Sequence, residues 1–296
     1  MNRNAPCFCG LPQKMKHCTE SCLANVKQID IQLQKLLDEE GVILKTDAEI
    51  QKIADASKVA AEILDALCLY ATEGVSLEEL NTHAMKLHKE AGVIPAPLGY
   101  GEPPYPKAIC TSVNDVICHG IPSPYKLVSG DILNIDVSVI LDGYFGDCSK
   151  MVCIGNVSEE DIALCKTTYN ALMLSISKVK PGVCLSEIGG TIQKLADSKG
   201  YSVVRDFVGH GIGLEFHEGP NVLHCANSLQ LPLQVGMTFT IEPMLNAGQV
   251  EHYTAADKWC IKTIDGKKSA QYEHTLVVTS DGAKILTPWT VPEMLK

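Results

Sequence analysis

The stretch Asp131–Lys150, DILNIDVSVILDGYFGDCSK, decides how the rest of the chain is read. Leu133, Ile135, Val137 and Val139 alternate with Asn134, Asp136 and Ser138, the period of a strand with two unlike faces. Asp142-Gly143 is a strong signal for a two-residue hairpin turn. With that turn, Leu141 faces Tyr144 and Ser138 faces Asp147. Asp136 and Asp147 then project from the same face as diagonal neighbours. Two carboxylates so placed repel unless a proton or a cation sits between them. A solvated hairpin face is the ordinary reading of such a pair. Here Asp136 sits inside the apolar run LNIDVSVIL, where an unpaired charge is costly, and that favours a metal.

Helical patterns flank this hairpin on both sides. Thr46–Thr72 carries Ile50, Ile53, Ala54, Ala60, Ala61, Leu64 and Leu67 at helical spacing, with Thr46 or Asp47 able to cap it. Ser76-Leu-Glu-Glu79 is a capping box that opens a second helix, which Gly92 stops. Residues 93–125 are rich in Pro, Gly and Tyr and read as loops with short strands. A second capped helix pair is expected at Ser158–Lys178 and Ser186–Lys199, followed by strands at Thr238–Glu242 and Gln271–Thr279. Helices followed by antiparallel strands, twice over, indicate an α+β domain and hint at a duplicated architecture.

The chain has 296 residues, of which 46% are hydrophobic and 20% charged, so it has enough apolar surface for a large core. No run approaches the 18 apolar residues expected of a membrane span, and the first residues lack the apolar region of a secretory signal. The thirteen cysteines therefore read as cytosolic thiols or metal ligands. A net charge of −10 argues against extended nucleic-acid binding. The charge is uneven, because Arg3, Lys14, Lys16 and Lys27 face only Glu20 in the first 27 residues.

Three further segments place acid or imidazole groups in glycine-rich or apolar contexts. Gly209-His-Gly-Ile-Gly-Leu-Glu-Phe-His217 sets His210 between glycines that permit tight turns and close backbone approach. In Thr238-Phe-Thr-Ile-Glu242, the threonines and Glu242 share a face opposite Phe239 and Ile241. Gln271-Tyr-Glu273-His-Thr-Leu-Val-Val puts Glu273 in a β-branched strand. Singly, each group has an ordinary structural explanation. Together, Asp136, Asp147, His210, Glu242 and Glu273 form an oxygen-rich ligand set with one imidazole, suited to divalent Mn, Fe, Co or Zn.

The motifs VICHGIP at His119, LNIDVSV at Asp136, GYFGDCSK at Asp147, GHGIGLEFHEGP at His210 and His217, TFTIEPM at Glu242 and QYEHTLVV at Glu273 resemble those of the type I methionine aminopeptidases, members of the pita-bread metallopeptidase family. The resemblance covers about residues 46–296. It implies a pita-bread fold with pseudo-twofold halves, in which helices cover a curved antiparallel sheet. It also implies removal of the N-terminal methionine from nascent proteins and peptides when the second residue is small, by a water bridging two divalent metal ions. In that scheme Asp136 chelates one ion, His210 and Glu242 hold the other, and Asp147 and Glu273 bridge both. Glu242 moves the proton, His217 stabilises the oxyanion and His119 contacts the scissile amide. Tyr100, Tyr105, Cys110, Phe216 and Trp259 are the implied walls of the methionine pocket. The tract Tyr100-Gly-Glu-Pro-Pro-Tyr105 departs from the common family spacing by two extra residues, and Pro97 stands where many relatives have Cys.

The first 22 residues resemble the SEC-C zinc-binding motif: Cys7, Cys9 and Cys18 fit its pattern, Thr19 falls at the fourth position, and Cys22 or His17 can complete a tetrahedron. The expected layout is a zinc motif at 1–22, a connector helix at 23–45 and a catalytic domain at 46–296. The head would dock to the ribosome or to another protein near nascent chains. The expected setting is cytoplasmic, without a membrane, and the expected state is a monomer. An Xaa-Pro peptidase of the same fold and a non-catalytic binding paralogue are the competing readings.

Overall fold

A computed structural model describes residues 20–295, with side chains described from Asp30 onward. Cys7, Cys9, Cys18 and His17 lie outside the described residues, as does the side chain of Cys22. The chain divides between Val42 and Ile43 into two compact units. In the first, helix α1 (Glu20–Glu39) is closed by Gly41, at φ 66°, and by a Val42 N–H bond to the Leu37 carbonyl at 2.8 Å. The expected connector, 23–45, starts inside this helix and runs past the division.

The second unit begins with α2 (Asp47–Tyr70) and α3 (Leu77–Ala91). Both open on reciprocal capping boxes. Thr46 and Ser76 each accept a backbone N–H at the N-terminus, and Glu49 and Glu79 each accept one back. Short strands β1 (Ile94–Pro95), β2 (Cys110–Val113) and β3 (Val116–Cys118) lead to the long hairpin β4 (Ile132–Leu141) and β5 (Tyr144–Cys153). Helices α4 (Glu159–Ile176) and α5 (Ser186–Lys199) follow. Ser158 caps α4, but α5 has no side-chain cap, contrary to expectation. Its cap position is Leu185, and Ser186 is already helical.

The remaining strands are β6 (Ser202–Val203), β7 (Gly209–Gly211), β8 (Glu218–Val222), β9 (Thr238–Ile241), β10 (Met244–Asn246), β11 (His252–Thr254), β12 (Ile261–Thr263), β13 (Ser269–Gln271), β14 (His274–Thr279) and β15 (Gly282–Ile285). A 3-10 turn at Glu293–Leu295 completes the described chain. Two helices before an antiparallel pair occur twice, α2–α3 before β4–β5 and α4–α5 before β9–β14. All named strand pairings are antiparallel, and the class is α+β. Among the described residues no helix is long and apolar enough to cross a membrane.

The β4–β5 register matches the sequence reading: Leu141 pairs with Tyr144 and Ser138 with Asp147. The strand is not half-solvated, however. Leu133, Ile135, Val137 and Val139 are fully buried, and Asn134 and Ser138 on the opposite face are only 2% exposed. Helix α2 packs across the hairpin and covers one face. The polar face turns into the molecule, where the Asn134 amide donates to the Gln271 carbonyl at 2.9 Å. Sheet order β15-β14-β9-β7-β8 brings the His210 strand beside the strand that leads to Glu242.

The strand expected at Gln271–Thr279 is two strands. β13 pairs with β10 and β14 pairs with β9, so the chain changes sheets between Gln271 and His274. Tyr272 and Glu273 occupy the break. The Glu273 N–H there donates to the Ser149 carbonyl at 2.9 Å, and its own carbonyl accepts from the Trp289 indole at 3.0 Å. Similarly, β9 ends at Ile241, so Glu242 sits just beyond it, ahead of Pro243.

Candidate active site

Asp136 and Asp147 reach one buried point from neighbouring strands. Their carboxyls lie close enough to share a proton. Ser138, directly opposite Asp147, donates to its Oδ1 at 2.8 Å. Strand β7 brings His210 to the same point, with Nε2 3.8 Å from Asp147 Oδ2 and 3.7 Å from Glu242 Oε1. The flanking glycines lie within the strand, not in turns. A Cβ on Gly211 would stand 2.0 Å from the Gly219 carbonyl oxygen, so only glycine lets β8 come this close. Ligand atoms of Asp147, His210 and Glu273 all fall within 4.8 Å of one another. Glu242 is oriented by Thr240, whose hydroxyl donates to Oε1 at 2.8 Å, and by Gln271, whose amide donates to Oε2 at 3.2 Å.

Four buried carboxyls in one cluster are unfavourable as anions. Burial and mutual repulsion push Asp136 and Glu273 well above the usual carboxylate range. Burial raises Asp147 to about 6, and burial together with Asp147 raises Glu242 to about 8. Asp136 Oδ1 is buried without a hydrogen-bond partner. The His210 Nδ1–H donates to the Gly211 carbonyl at 3.0 Å, which leaves the Nε2 lone pair aimed at the carboxyls. Burial lowers the His210 pKa to about 3, so this nitrogen is unprotonated at neutral pH. An orphaned oxygen, repelling carboxylates and a neutral imidazole make a donor set that fits divalent cations.

Two more histidines stand at the edge of the cluster. His119 follows β3 at φ 56°, a left-handed conformation uncommon outside glycine. Its ring meets Phe207 at 5.5 Å and Trp259 at 6.1 Å, and burial lowers its pKa to about 4. His217 lies 4.2 Å from His210, ring to ring, and desolvation lowers it to about 4 as well. The segment that carries Phe216 and His217 is anchored from beneath. The Glu218 carboxylate accepts the backbone N–H groups of Leu214 and Glu215 at 2.6 and 2.9 Å, and it pairs with Lys45 in a fully buried ion pair.

The expected pocket walls are also adjacent to these groups. Cys110 pairs with Asp136 in the β2–β4 register, and burial keeps its thiol protonated. Tyr105 stacks edge-on against Trp259 at 5.2 Å, and Tyr100 stacks edge-on against Phe216 at 5.1 Å. Tyr105 is buried, whereas Tyr100 is 43% exposed at the rim.

Sequence reasoning missed several supporting groups. Register puts Ser138 opposite Asp147 but does not reveal the bond it donates, and Gln271 reads simply as strand. His224, whose Nε2 accepts the Glu242 N–H at 3.1 Å, lies in a segment without any local signal. The Lys45–Glu218 pair joins residues 173 apart in sequence, so no spacing rule reaches it.

The fold and the cluster together define a metallopeptidase site, and the profile of Metallopeptidase family M24 matches residues 51–280. The chain belongs to this family. It is 48% identical to a methionine aminopeptidase of Chlamydia trachomatis, over 97% of this chain and 99% of that one. It is 47% identical to the methionine aminopeptidase of Escherichia coli K12, over 83% of this chain and 94% of the relative. The crystal structure of methionine aminopeptidase from Rickettsia prowazekii superposes with a TM-score of 0.81 at 44% identity, covering 83% of this chain and 99% of that chain. A prolidase from Pyrococcus furiosus shares the pita-bread fold at 23% identity, with a TM-score of 0.70 over 93% of this chain and 75% of the other.

Proposed function

We propose that the chain is a metalloaminopeptidase that removes the N-terminal methionine from nascent proteins and peptides when the second residue is small. The observation that carries this reading is the convergence of Asp136, Asp147, His210, Glu242 and Glu273 beside His119, His217 and an aromatic pocket. Asp136, Asp147 and Glu273 would hold one divalent ion, and Asp147, His210, Glu242 and Glu273 a second, with Co, Mn, Fe and Zn all compatible. When bound, such ions supply Lewis acidity and hydroxide at neutral pH.

The chain's own groups do the rest. Glu242 takes the proton of the attacking water and passes it to the departing amine. His217 donates to the carbonyl oxygen as negative charge develops there. His119 contacts the scissile amide. Tyr105, Cys110, Phe216, Trp259 and the rim residue Tyr100 enclose the methionine side chain, and sulfur–aromatic contacts add about 0.3–1.5 kcal/mol to its binding. The substrate's free amine docks against the acidic cluster, so an acetylated terminus is a poor substrate.

Cleavage of Met-Ala-Ser beside an Xaa-Pro dipeptide tests the specificity. Turnover of the first and not the second is expected, and the reverse would assign the chain to the Xaa-Pro peptidases. No turnover of either, with metal bound, would favour a binding paralogue. Cys7, Cys9, Cys18 and Cys22 are proposed to hold a structural zinc, with His17 the other candidate for the fourth position. The head would dock near nascent chains at the ribosome, on a monomeric cytoplasmic enzyme. Metal analysis of the full chain beside a chain starting at Ile43 checks the zinc. The difference should be one zinc per molecule. Equal metal content in both would remove the zinc assignment.

A further inference from the structure

The loop with the unusual spacing ends on a catalytic histidine. Residues 97–105 close on themselves: the Tyr100 N–H donates to the Pro97 carbonyl at 3.0 Å, Gly99 to Tyr105 at 2.8 Å, and Tyr105 to Tyr100 at 2.8 Å. Trp259 seats the closed loop from outside. Its indole N–H donates to the Pro103 carbonyl at 2.9 Å, and its ring lies on the bare face of Gly101, where a Cβ would stand 2.5 Å from the indole edge. Trp259 is itself held by Asp257, whose carboxylate accepts the Trp259 and Cys260 backbone N–H groups at 2.8 Å each. The product of this bracing is one contact. The Tyr100 hydroxyl lies 2.7 Å from Nδ1 of His217, with the rings 5.1 Å apart.

A neutral imidazole carries one N–H, and its position is set by whatever the other nitrogen bonds. Two arrangements satisfy a 2.7 Å contact: the phenol donates to Nδ1, or Nδ1–H donates to the phenol oxygen. A phenol O–H is a more acidic donor than a neutral imidazole N–H, and a neutral imidazole nitrogen is a better acceptor than a phenol oxygen. We propose that Tyr100 is a positioning residue: its hydroxyl donates to Nδ1 of His217 and so fixes the imidazole proton on Nε2, the nitrogen left to donate to the substrate's acyl oxygen. The role of Tyr100 as a pocket wall needs only its ring, whereas this role needs its oxygen. The inference deepens the aminopeptidase reading and rests on it for the part His217 plays.

Tyr100→Phe in the full-length, metal-loaded enzyme separates the two roles, because it keeps the ring and both stacking contacts. Loss of an orienting hydrogen bond of this kind typically costs 10–100-fold, so kcat on Met-Ala-Ser should fall by about that factor with KM within about twofold. An unchanged kcat would overturn the proposal, as would a rise in KM alone. The second measurement does not use activity. In protein labelled with 15N-histidine, the His217 ring shifts should report the Nε2–H tautomer in wild type and a mixture of tautomers in Tyr100→Phe. A wild-type ring protonated on Nδ1 would overturn the proposal even if the enzyme cleaves methionine. If Met-Ala-Ser is not cleaved at all, the tautomer assignment still stands or falls on the spectrum.

Discussion

Asp147 is where single-residue chemistry is most concentrated. It lies diagonal to Asp136 across the hairpin, accepts from Ser138, and lies within reach of His210 and Glu273. Replacing it with Ala should abolish turnover and lower the metal content measured after dialysis. Full activity in Asp147→Ala would remove the two-ion arrangement. Ser138→Ala keeps every ligand and deletes one orienting bond, whereas Thr240→Val keeps every ligand and deletes two, the one to Glu242 Oε1 and the one from the His210 N–H. Such groups typically contribute 10–100-fold to metal affinity, so each variant should release metal to a chelator at correspondingly lower concentration. His217→Ala should behave differently, with metal retained and kcat down about 10²–10³-fold, the usual cost of an oxyanion donor. The five acid and imidazole positions were legible because a buried charge in an apolar strand is expensive and therefore conspicuous. Their orienting partners were not, because serine, threonine and glutamine are ordinary in strands.

Elements explain which parts of the site could be anticipated. The β4–β5 register followed from Asp142-Gly143 alone, since a two-residue turn leaves no freedom in which residues face each other. The capping boxes at Thr46 and Ser76 are local hydrogen-bond patterns and read directly from four residues each. The break between β13 and β14 did not, because a change of sheet is a tertiary event that a β-branched run does not announce. The anchoring of the His217 segment was equally invisible. Lys45 falls in the expected connector, yet its side chain is 1% exposed and paired with Glu218 inside the second unit. Breaking a buried pair by removing one partner costs about 3–5 kcal/mol, so Lys45→Met should lower the denaturation midpoint by that equivalent. A chain starting after residue 45 should lose the same contact, whereas one starting at Ile43 should not. Comparing their melting temperatures checks this.

At the scale of the whole molecule, two sets of titrations oppose each other. Burial lowers His119 and His217 to about 4 and His210, His224 and His274 to about 3. The unfolded chain takes up these protons from about pH 6.5 downward while the fold does not, so stability should fall from there toward pH 3–4. The carboxyls have the opposite sign. With Asp147 at about 6 and Glu242 at about 8, the metal-free fold keeps protons that the unfolded chain has lost. Its stability should therefore fall as pH rises from about 4 to 8. Divalent ions remove that second penalty by displacing the protons. Calorimetry of metal binding near pH 7 in buffers of different ionisation enthalpy should show proton release. Buffer-independent heats would contradict the raised carboxyls.

The five converging groups also set a timetable for biosynthesis. They come from β4, β5, β7, the end of β9 and the break after β13, so the first and last, Asp136 and Glu273, lie 137 residues apart. A partly synthesised chain holds the hairpin carboxylates but lacks the residue that closes the cluster. The cluster can therefore close around a metal only after synthesis has passed Glu273.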